Sequence, residues 1–261
     1  MSKKMLIRIL TGLAIIACVL PPILLGGIPM ECLIAFVAAC SAYEISSMCD
    51  QKPHYVRTAL LFAVIELMGH IDDLHVPFAA ALFMILLFLA HYCDKNFNED
   101  MVAYTFMTGM IIVFAIHGIT RIYAVQKGWG MMFVAFATYL CDTGAYFFGS
   151  FFGKHKMAPL ISPNKTWEGA VGGYLAGAIG SYLWGRYLCP AFPAELVLCG
   201  ALILPAVGEI GDLAFSSIKR RFGIKDFGSL LPGHGGVLDR VDSLLFCLMV
   251  FNGLILLWGL K

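Results

Sequence analysis

The sequence predicts an all-α fold, a polytopic integral membrane bundle of about nine transmembrane helices. Two observations support this prediction. The 261 residues are 60% hydrophobic and only 13% charged, whereas soluble domains carry about 25% charged residues. The apolar residues are also grouped into stretches close to the roughly 20 residues that a helix needs to cross a bilayer. A soluble globular domain is therefore excluded.

Nine apolar stretches follow one another along the chain. The first contains Pro21 and Pro22, which lack backbone donors, so we expect a kink or an early end there. The third is short and includes Glu66. The predicted spans are residues 5–26, 31–48, 56–70, 76–93, 101–123, 130–149, 168–187, 195–215 and 241–259.

The distribution of lysine and arginine predicts the orientation, because positive charge concentrates in cytoplasmic loops. With nine spans and the N-terminus inside, 14 of the 18 Lys and Arg residues fall on the cytoplasmic side. The four on the other side are Arg121, Lys127, Arg186 and Lys261. The sequence therefore predicts a multi-pass protein of the cytoplasmic (inner) membrane, with its polar loops facing the cytoplasm.

We expect a single membrane domain over residues 1–261, since no linker or low-complexity tract divides the chain. Residues 1–125 are predicted to be lipid-facing helices without an assigned role, and residues 126–261 to carry the catalytic helices and loops. Glu44 and Glu66 lie inside spans of the first part, where a carboxylate is costly. Each either contacts substrate or hydrogen-bonds within the bundle.

Cysteine and histidine give no metal-binding pattern. The nine cysteines form no CxxC or Cys/His spacing and are interpreted as small buried hydrophobic residues. The seven histidines are scattered, and His70 and His117 are interpreted as hydrogen-bonded polar residues of the bundle.

A first polar cluster lies between Thr138 and Gly169. Asp142 is one helical turn from both Thr138 and Tyr146, so the three polar side chains share a face. Thr166 is placed to cap the seventh predicted helix. In that helix, small residues recur at every fourth position, which favours close helix packing; they are Gly169, Gly173 and Gly177, and beside them Gly172, Ala176 and Gly180.

A second and denser polar cluster occupies residues 208–243. The spacing of Glu209, Asp212, Ser216 and Lys219 by three, four and three residues places them on one face of the eighth predicted helix. With Lys219 included, residues 219–225 carry four cations, and a glycine-rich turn whose amides can approach a phosphate comes after them.

Carboxylates from two helix ends beside a cationic loop suit a magnesium-bound polyphosphate. Mg²⁺ takes one or two protein carboxylates together with phosphate oxygens, and Lys and Arg neutralise the remaining charge. A P-loop is excluded because no GxxxxGK[ST] motif is present. The net charge of +1 does not by itself reveal a polyanion-binding surface, so the positions of the charged residues must decide.

The second cluster resembles the signature of the phosphatidate cytidylyltransferases, also called CDP-diacylglycerol synthases. The DTGAY segment at Asp142 and the SPNKTWEG segment are similar to that family as well. The matching signature positions are Ser216, Ile218, Lys219, Arg220, Lys225, Asp226, Gly228, Leu231, Pro232, His234, Gly235, Gly236, Val237, Asp239, Arg240, Val241 and Asp242.

The resemblance implies the transfer of CMP from CTP to phosphatidate, giving CDP-diacylglycerol and pyrophosphate for phospholipid biosynthesis. It implies Mg²⁺ as cofactor, with a second cation left open, and a homodimer in the membrane lipid without nucleic acid. The catalytic residues it implies are Asp142, Asp212, Lys219 and Asp239. The metal ligands it implies are Asp212, Asp239 and Asp242. The substrate-binding residues it implies are Ser162, Asn164, Lys165, Ser216, Arg220, Lys225, His234, Gly235, Gly236 and Arg240.

Two other functions stay open at this point. One is a CTP-dependent transferase or kinase that acts on another membrane lipid, such as an ether-linked phosphatidate analogue or a polyprenol, because the first half of the chain does not define the lipid. The remote alternative is a transporter. A transporter should place its polar residues near the bilayer midplane, whereas here they are concentrated at one face.

Overall fold

The computed structural model describes residues 3–94 and 96–260. Within these residues the chain forms eight helices and one short hairpin, which confirms the predicted all-α class. The helices are α1 (Lys3–Leu25), α2 (Gly27–Ser47), α3 (Tyr55–Gly69), α4 (Val76–Cys93), α5 (Glu99–Phe152), α6 (Trp167–Leu188), α7 (Ala194–Arg221) and α8 (Leu238–Leu257). The strands are β1 (Lys156–Ala158) and β2 (Ser162–Thr166), paired antiparallel.

Helix α5 consists of two helical segments. At Lys127 the backbone leaves the helical region, with φ 56° and ψ −151°, so each of the nine predicted spans overlaps a helical segment. In the described part of the chain, five helices are long and apolar enough to cross a membrane, namely α2, α4, α5, α7 and α8. The number of nine crossings stays a prediction. Lys95 and Lys261, which entered the charge distribution, lie outside the described residues.

Two local features differ from what the sequence predicts. Of the kink or early end expected at Pro21 and Pro22, the early end is wrong, because α1 continues through both prolines and ends before Gly26, whose φ is 67°. The hairpin β1–β2 lies between the sixth and seventh predicted spans, where no strand was predicted, and it pairs Lys156 with Thr166.

The glycine rows of α6 pack directly on α5, as predicted. A Cβ atom on Gly173 would lie 2.5 Å from the carbonyl oxygen of Cys141, and one on Gly177 would lie 2.6 Å from that of Ala137. Both distances are too short for any side chain, so the two backbones touch. This contact brings the start of α6 next to the turn of α5 that carries Asp142.

A buried aromatic cluster joins α7, α8 and the loop between them. The Phe215 ring lies 5.8 Å from that of Phe227 and 6.0 Å from that of Phe246, measured between centroids. Phe215 and Phe227 are both almost completely buried. The cluster fixes the loop of residues 222–237 against the two helices that carry most of the charged side chains.

Candidate active site

Lys165 is positioned by the hairpin and by the start of α6. The side chain of Thr166 accepts a hydrogen bond from the Gly169 amide at 3.2 Å, which confirms the predicted helix cap. One residue before this cap, Lys165 Nζ lies 2.9 Å from Glu209 Oε2 and 2.7 Å from Asp212 Oδ2. Burial alone would lower the pKa of the Lys165 ammonium, but the two carboxylates outweigh that effect and raise this pKa above its usual range. Lys165 is therefore a firmly held cation.

The polar residues of α7 share one face, as their spacing predicts. Ser216 Oγ donates to Asp212 Oδ1 at 3.4 Å. Farther along the helix, Lys219 Nζ lies 2.7 Å from Asp239 Oδ1 and 4.0 Å from Asp242 Oδ2. Because Asp239 and Asp242 belong to α8, this face forms the junction between the two helices.

Asp239 organises the loop that precedes α8. Its Oδ2 atom accepts hydrogen bonds from the amides of Phe227 at 2.8 Å and Gly236 at 3.0 Å, while Oδ1 accepts from Lys219. Both oxygens are thus engaged within the protein. The predicted role of Asp239 as a metal ligand stays a prediction.

These groups surround a cavity of about 360 Å³, which we call the acidic cavity. Its wall contains six carboxylates and three cations, a formal excess of three negative charges. The carboxylates are those of Asp142, Glu209, Asp212, Asp226, Asp239 and Asp242, and the cations are Lys165, Lys219 and Arg240. Asn164 and Tyr146 also line it.

A second cavity of about 600 Å³, the basic cavity, lies beside the first and shares Asp226 and Arg240 with it. Lys225 and His234 line it together with the backbone of the glycine-rich turn. That turn is closed by a hydrogen bond from the Leu231 amide to the Gly235 carbonyl at 2.9 Å. Gly233 and Gly235 adopt φ of 75° and 88°, which favours glycine there.

The structure brings most of the predicted site residues to these two cavities. The acidic cavity is lined by Asp142, Asn164, Lys165, Asp212, Lys219, Asp239, Arg240 and Asp242. The basic cavity is lined by Lys225, His234, Gly235 and Arg240. Four predicted residues line neither cavity: Ser162, Ser216, Arg220 and Gly236. The Arg220 guanidinium instead donates to the carbonyls of Ile161 at 3.2 Å and Ile224 at 2.9 Å.

Three acidic residues with a place in this region were missing from the predicted set. Glu209 lies one turn before Asp212 on the ionic face of α7, and this spacing was a usable signal. Asp226 lines both cavities and belongs to the signature segment. Glu44 is buried in α2 and accepts hydrogen bonds from the amides of Val237 and Leu238, both at 2.8 Å. No sequence pattern predicts that contact.

The residues of the acidic cavity fit a magnesium ion that is bound together with a phosphate. Nowhere in residues 3–94 and 96–260 do three or more His, Cys, Asp or Glu side chains converge tightly enough to hold a metal by themselves. Mg²⁺ does not need such a cage, since one or two carboxylates suffice when phosphate oxygens complete the shell. The surplus carboxylates of this wall are donors of that kind.

The comparison with known proteins decides the family. A family model described as the cytidylyltransferase family matches residues 6–258. The chain belongs to this family. It is a membrane-embedded enzyme, a nucleotidyltransferase, as the resemblance of its signature segment implies.

Three similar proteins among the cytidylyltransferases carry the same name. The chain is 34% identical to the phosphatidate cytidylyltransferase of Staphylococcus saprophyticus, over 97% of this chain and 99% of that protein. It is 33% identical to the enzyme of the same name from Staphylococcus haemolyticus over the same shares. With that of Staphylococcus epidermidis it shares 44% identity over 49% of this chain and 50% of the relative. The family model and the first two relatives thus also match the first half of the chain, where no motif was found.

Proposed function

We propose that the protein transfers CMP from CTP to phosphatidate, giving CDP-diacylglycerol and pyrophosphate for phospholipid biosynthesis at the cytoplasmic membrane face. The observation that carries the proposal is the pair of adjoining cavities, one acidic and one basic, that share Arg240 and Asp226. The names of the relatives, phosphatidate cytidylyltransferases, support phosphatidate as the acceptor.

The reaction requires the two substrates to be positioned accurately more than it requires a proton transfer. A phosphate monoester has its second pKa near about 6, so the phosphate of phosphatidate is already a competent oxygen nucleophile at neutral pH. That oxygen attacks the α-phosphorus of CTP, and the bond to the β-phosphate breaks to release pyrophosphate. Lys165, Lys219 and Arg240 supply positive charge where the two polyanions meet.

We assign the two cavities different parts of the substrates. The acidic cavity takes the reacting phosphates, with Asp212, Asp239 and Asp242 as the carboxylates that would hold Mg²⁺ and Asp142 as a supporting carboxylate. When bound there, Mg²⁺ neutralises charge on the phosphate oxygens and orients them. The basic cavity, with Lys225, His234 and the amides of the glycine-rich turn, takes the departing pyrophosphate. Arg240 contacts both parts because it lines both cavities.

The remaining elements of the proposal concern orientation and assembly. The hairpin β1–β2 and the loop of residues 222–237 face the cytoplasm, where CTP is available, and the N-terminus is inside. The working unit is a homodimer, as in the family resemblance. The positive charge of residues 219–225 supports this orientation.

The decisive experiment uses purified protein in detergent with CTP labelled in the α-phosphate, Mg²⁺ and phosphatidate. We expect a lipid that carries the label and an equal amount of pyrophosphate. Parallel reactions contain an ether-linked phosphatidate analogue, a polyprenol, or no lipid. Labelling of the polyprenol alone would overturn the proposal in favour of a transferase that acts on another lipid. Labelled CDP together with an unlabelled lipid would overturn it in favour of a kinase, because the γ-phosphate is then the group transferred.

Direct attack also predicts the stereochemistry. A single in-line displacement inverts the α-phosphorus, so a chiral α-thio analogue of CTP should give a product of inverted configuration. Pyrophosphate should not exchange into CTP when lipid is absent. Net retention, or a CMP adduct on the enzyme that disappears in His234→Ala, would show instead that a covalent intermediate is formed.

A further inference from the structure

Glu44 connects the first half of the chain to the site although the two amides that it binds are 193 and 194 residues away. It lies near the end of α2 and is only 2% exposed. Its Oε1 atom accepts from the Val237 amide and its Oε2 atom from the Leu238 amide, each at 2.8 Å. One carboxylate therefore satisfies two neighbouring donors at the start of α8.

These two donors are among those that a helix leaves without partners at its N-terminus. Val237, the N-cap residue of α8, provides no side-chain hydrogen bond to them. A carboxylate is the favoured partner, because it accepts hydrogen bonds and interacts well with the positive end of the helix dipole. Glu44 is thus a cap for α8 that is supplied by another helix.

Two glycines of the loop make room for this carboxylate. A Cβ atom on Gly236 would lie 2.5 Å from Glu44 Oε1, and one on Gly228 would lie 2.7 Å from the same atom. Neither glycine adopts a positive φ, so the backbone conformation alone does not call for glycine at these positions. The Glu44 side chain is held by two hydrogen bonds and does not move aside easily.

We propose that Glu44 is a positioning residue that fixes the start of α8 and thereby the glycine-rich turn and Asp239 beside it. Asp239 binds the Gly236 amide, and Glu44 binds the next two amides along the chain. The two carboxylates together fix three consecutive backbone donors. This role rests on the proposed function, since the turn and Asp239 line the two cavities assigned to CTP.

The first test compares Glu44→Gln with Glu66→Gln, the same substitution at a carboxylate of α3 that lies outside both cavities. In Glu44→Gln the new side-chain amide would point a donor at a backbone donor, so we expect the KM for CTP to rise about tenfold. Glu66→Gln should keep the wild-type KM. A variant that merely folds less well lowers Vmax with KM unchanged, and that result, like a wild-type KM, overturns the positioning role.

The second test uses the contact with Gly228. Gly228→Ala should raise the KM for CTP about tenfold relative to the wild type. In the Glu44→Ala background the same change should raise KM less than about twofold relative to Glu44→Ala alone, because the clash is then gone. Equal effects in both backgrounds would contradict the inference.

A third measurement separates this inference from the proposed function. Amide hydrogen exchange in Glu44→Gln should speed up at residues 236–239 and stay unchanged in α5. This readout needs no activity, so it decides the positioning role even if the wild type transfers no CMP to phosphatidate. Uniformly faster exchange, or no change at residues 236–239, would overturn it.

Discussion

Lys165 compensates the negative charge of two neighbouring carboxylates in the acidic cavity. Its ammonium group lies within 3 Å of carboxylate oxygens from both Glu209 and Asp212. Removing this single cation would leave two carboxylates of α7 unpaired and increase the formal excess of negative charge in the wall. A polyanionic substrate would then meet a stronger repulsion at the position where its charge must be neutralised.

We therefore expect Lys165→Met to lower kcat/KM for CMP transfer by on the order of 100-fold. The matched control is Lys156→Met, because Lys156 belongs to the same hairpin but is exposed and lines neither cavity. Steady-state assays in detergent measure the effect. Equal rates for the two variants would show that Lys165 takes no part in the reaction.

The carboxylates of the acidic cavity lead to a prediction about divalent cations. Activity should disappear in chelator-treated buffer, and Asp212→Asn should raise the Mg²⁺ concentration for half-maximal activity by about tenfold or more, because it weakens a metal ligand. Asp239→Asn should abolish turnover. Asp72→Asn, at an exposed site in the α3–α4 loop, serves as the control. Near-normal turnover of both site variants without Mg²⁺ would contradict the metal assignment.

At the scale of the elements, the contact between α5 and α6 determines where the hairpin and Asp142 meet. The contact depends on the absence of side chains along α6, since carbonyl oxygens of α5 occupy that space. Helices in lipid gain little from hydrophobic burial against each other, so close backbone approach is a main source of their packing energy. The site is therefore sensitive to small changes in this interface.

We expect Gly173→Ala to destabilise the protein by about 1–3 kcal/mol, because its Cβ atom would clash with the Cys141 carbonyl. Gly253→Ala in α8 is the matched control, since a Cβ atom there meets nothing within 4 Å. That variant should be neutral or slightly more stable. Thermal unfolding in detergent compares the two, and an equal shift in Tm would refute the packing argument.

At the scale of the whole molecule, the orientation in the membrane can be tested by labelling. Single cysteines replace Lys156 and Ser229 in a background without the nine native cysteines. Both should resist an impermeant thiol reagent in sealed cells and react in inside-out vesicles. Ser229 is used because the neighbouring Phe227, an obvious choice from sequence, is buried. Asp72→Cys should show the reverse pattern, and the opposite result at all three sites would invert the topology.

Much of the molecule could be predicted from local patterns. The spacing of Glu209, Asp212 and Lys219 predicts their common face, and the small residues of α6 predict its packing, because both depend only on helix periodicity. The hairpin could not be foreseen, since its strands are three and five residues long. The cap that Glu44 provides depends on how α2 packs against α8, and such long-range contacts leave no periodic signal.

The unequal charge of the acidic wall has a consequence for the form in which the nucleotide enters. A bare triphosphate approaching a wall with a formal excess of three negative charges is repelled, and the repulsion is less screened than in bulk water because Glu209, Asp239 and Asp242 are buried. A triphosphate that already carries its counter-ion meets a much smaller barrier. Under the proposed function the wall thus acts as a filter on ionic form, and excess uncomplexed CTP should neither saturate the enzyme nor compete effectively with the complexed form.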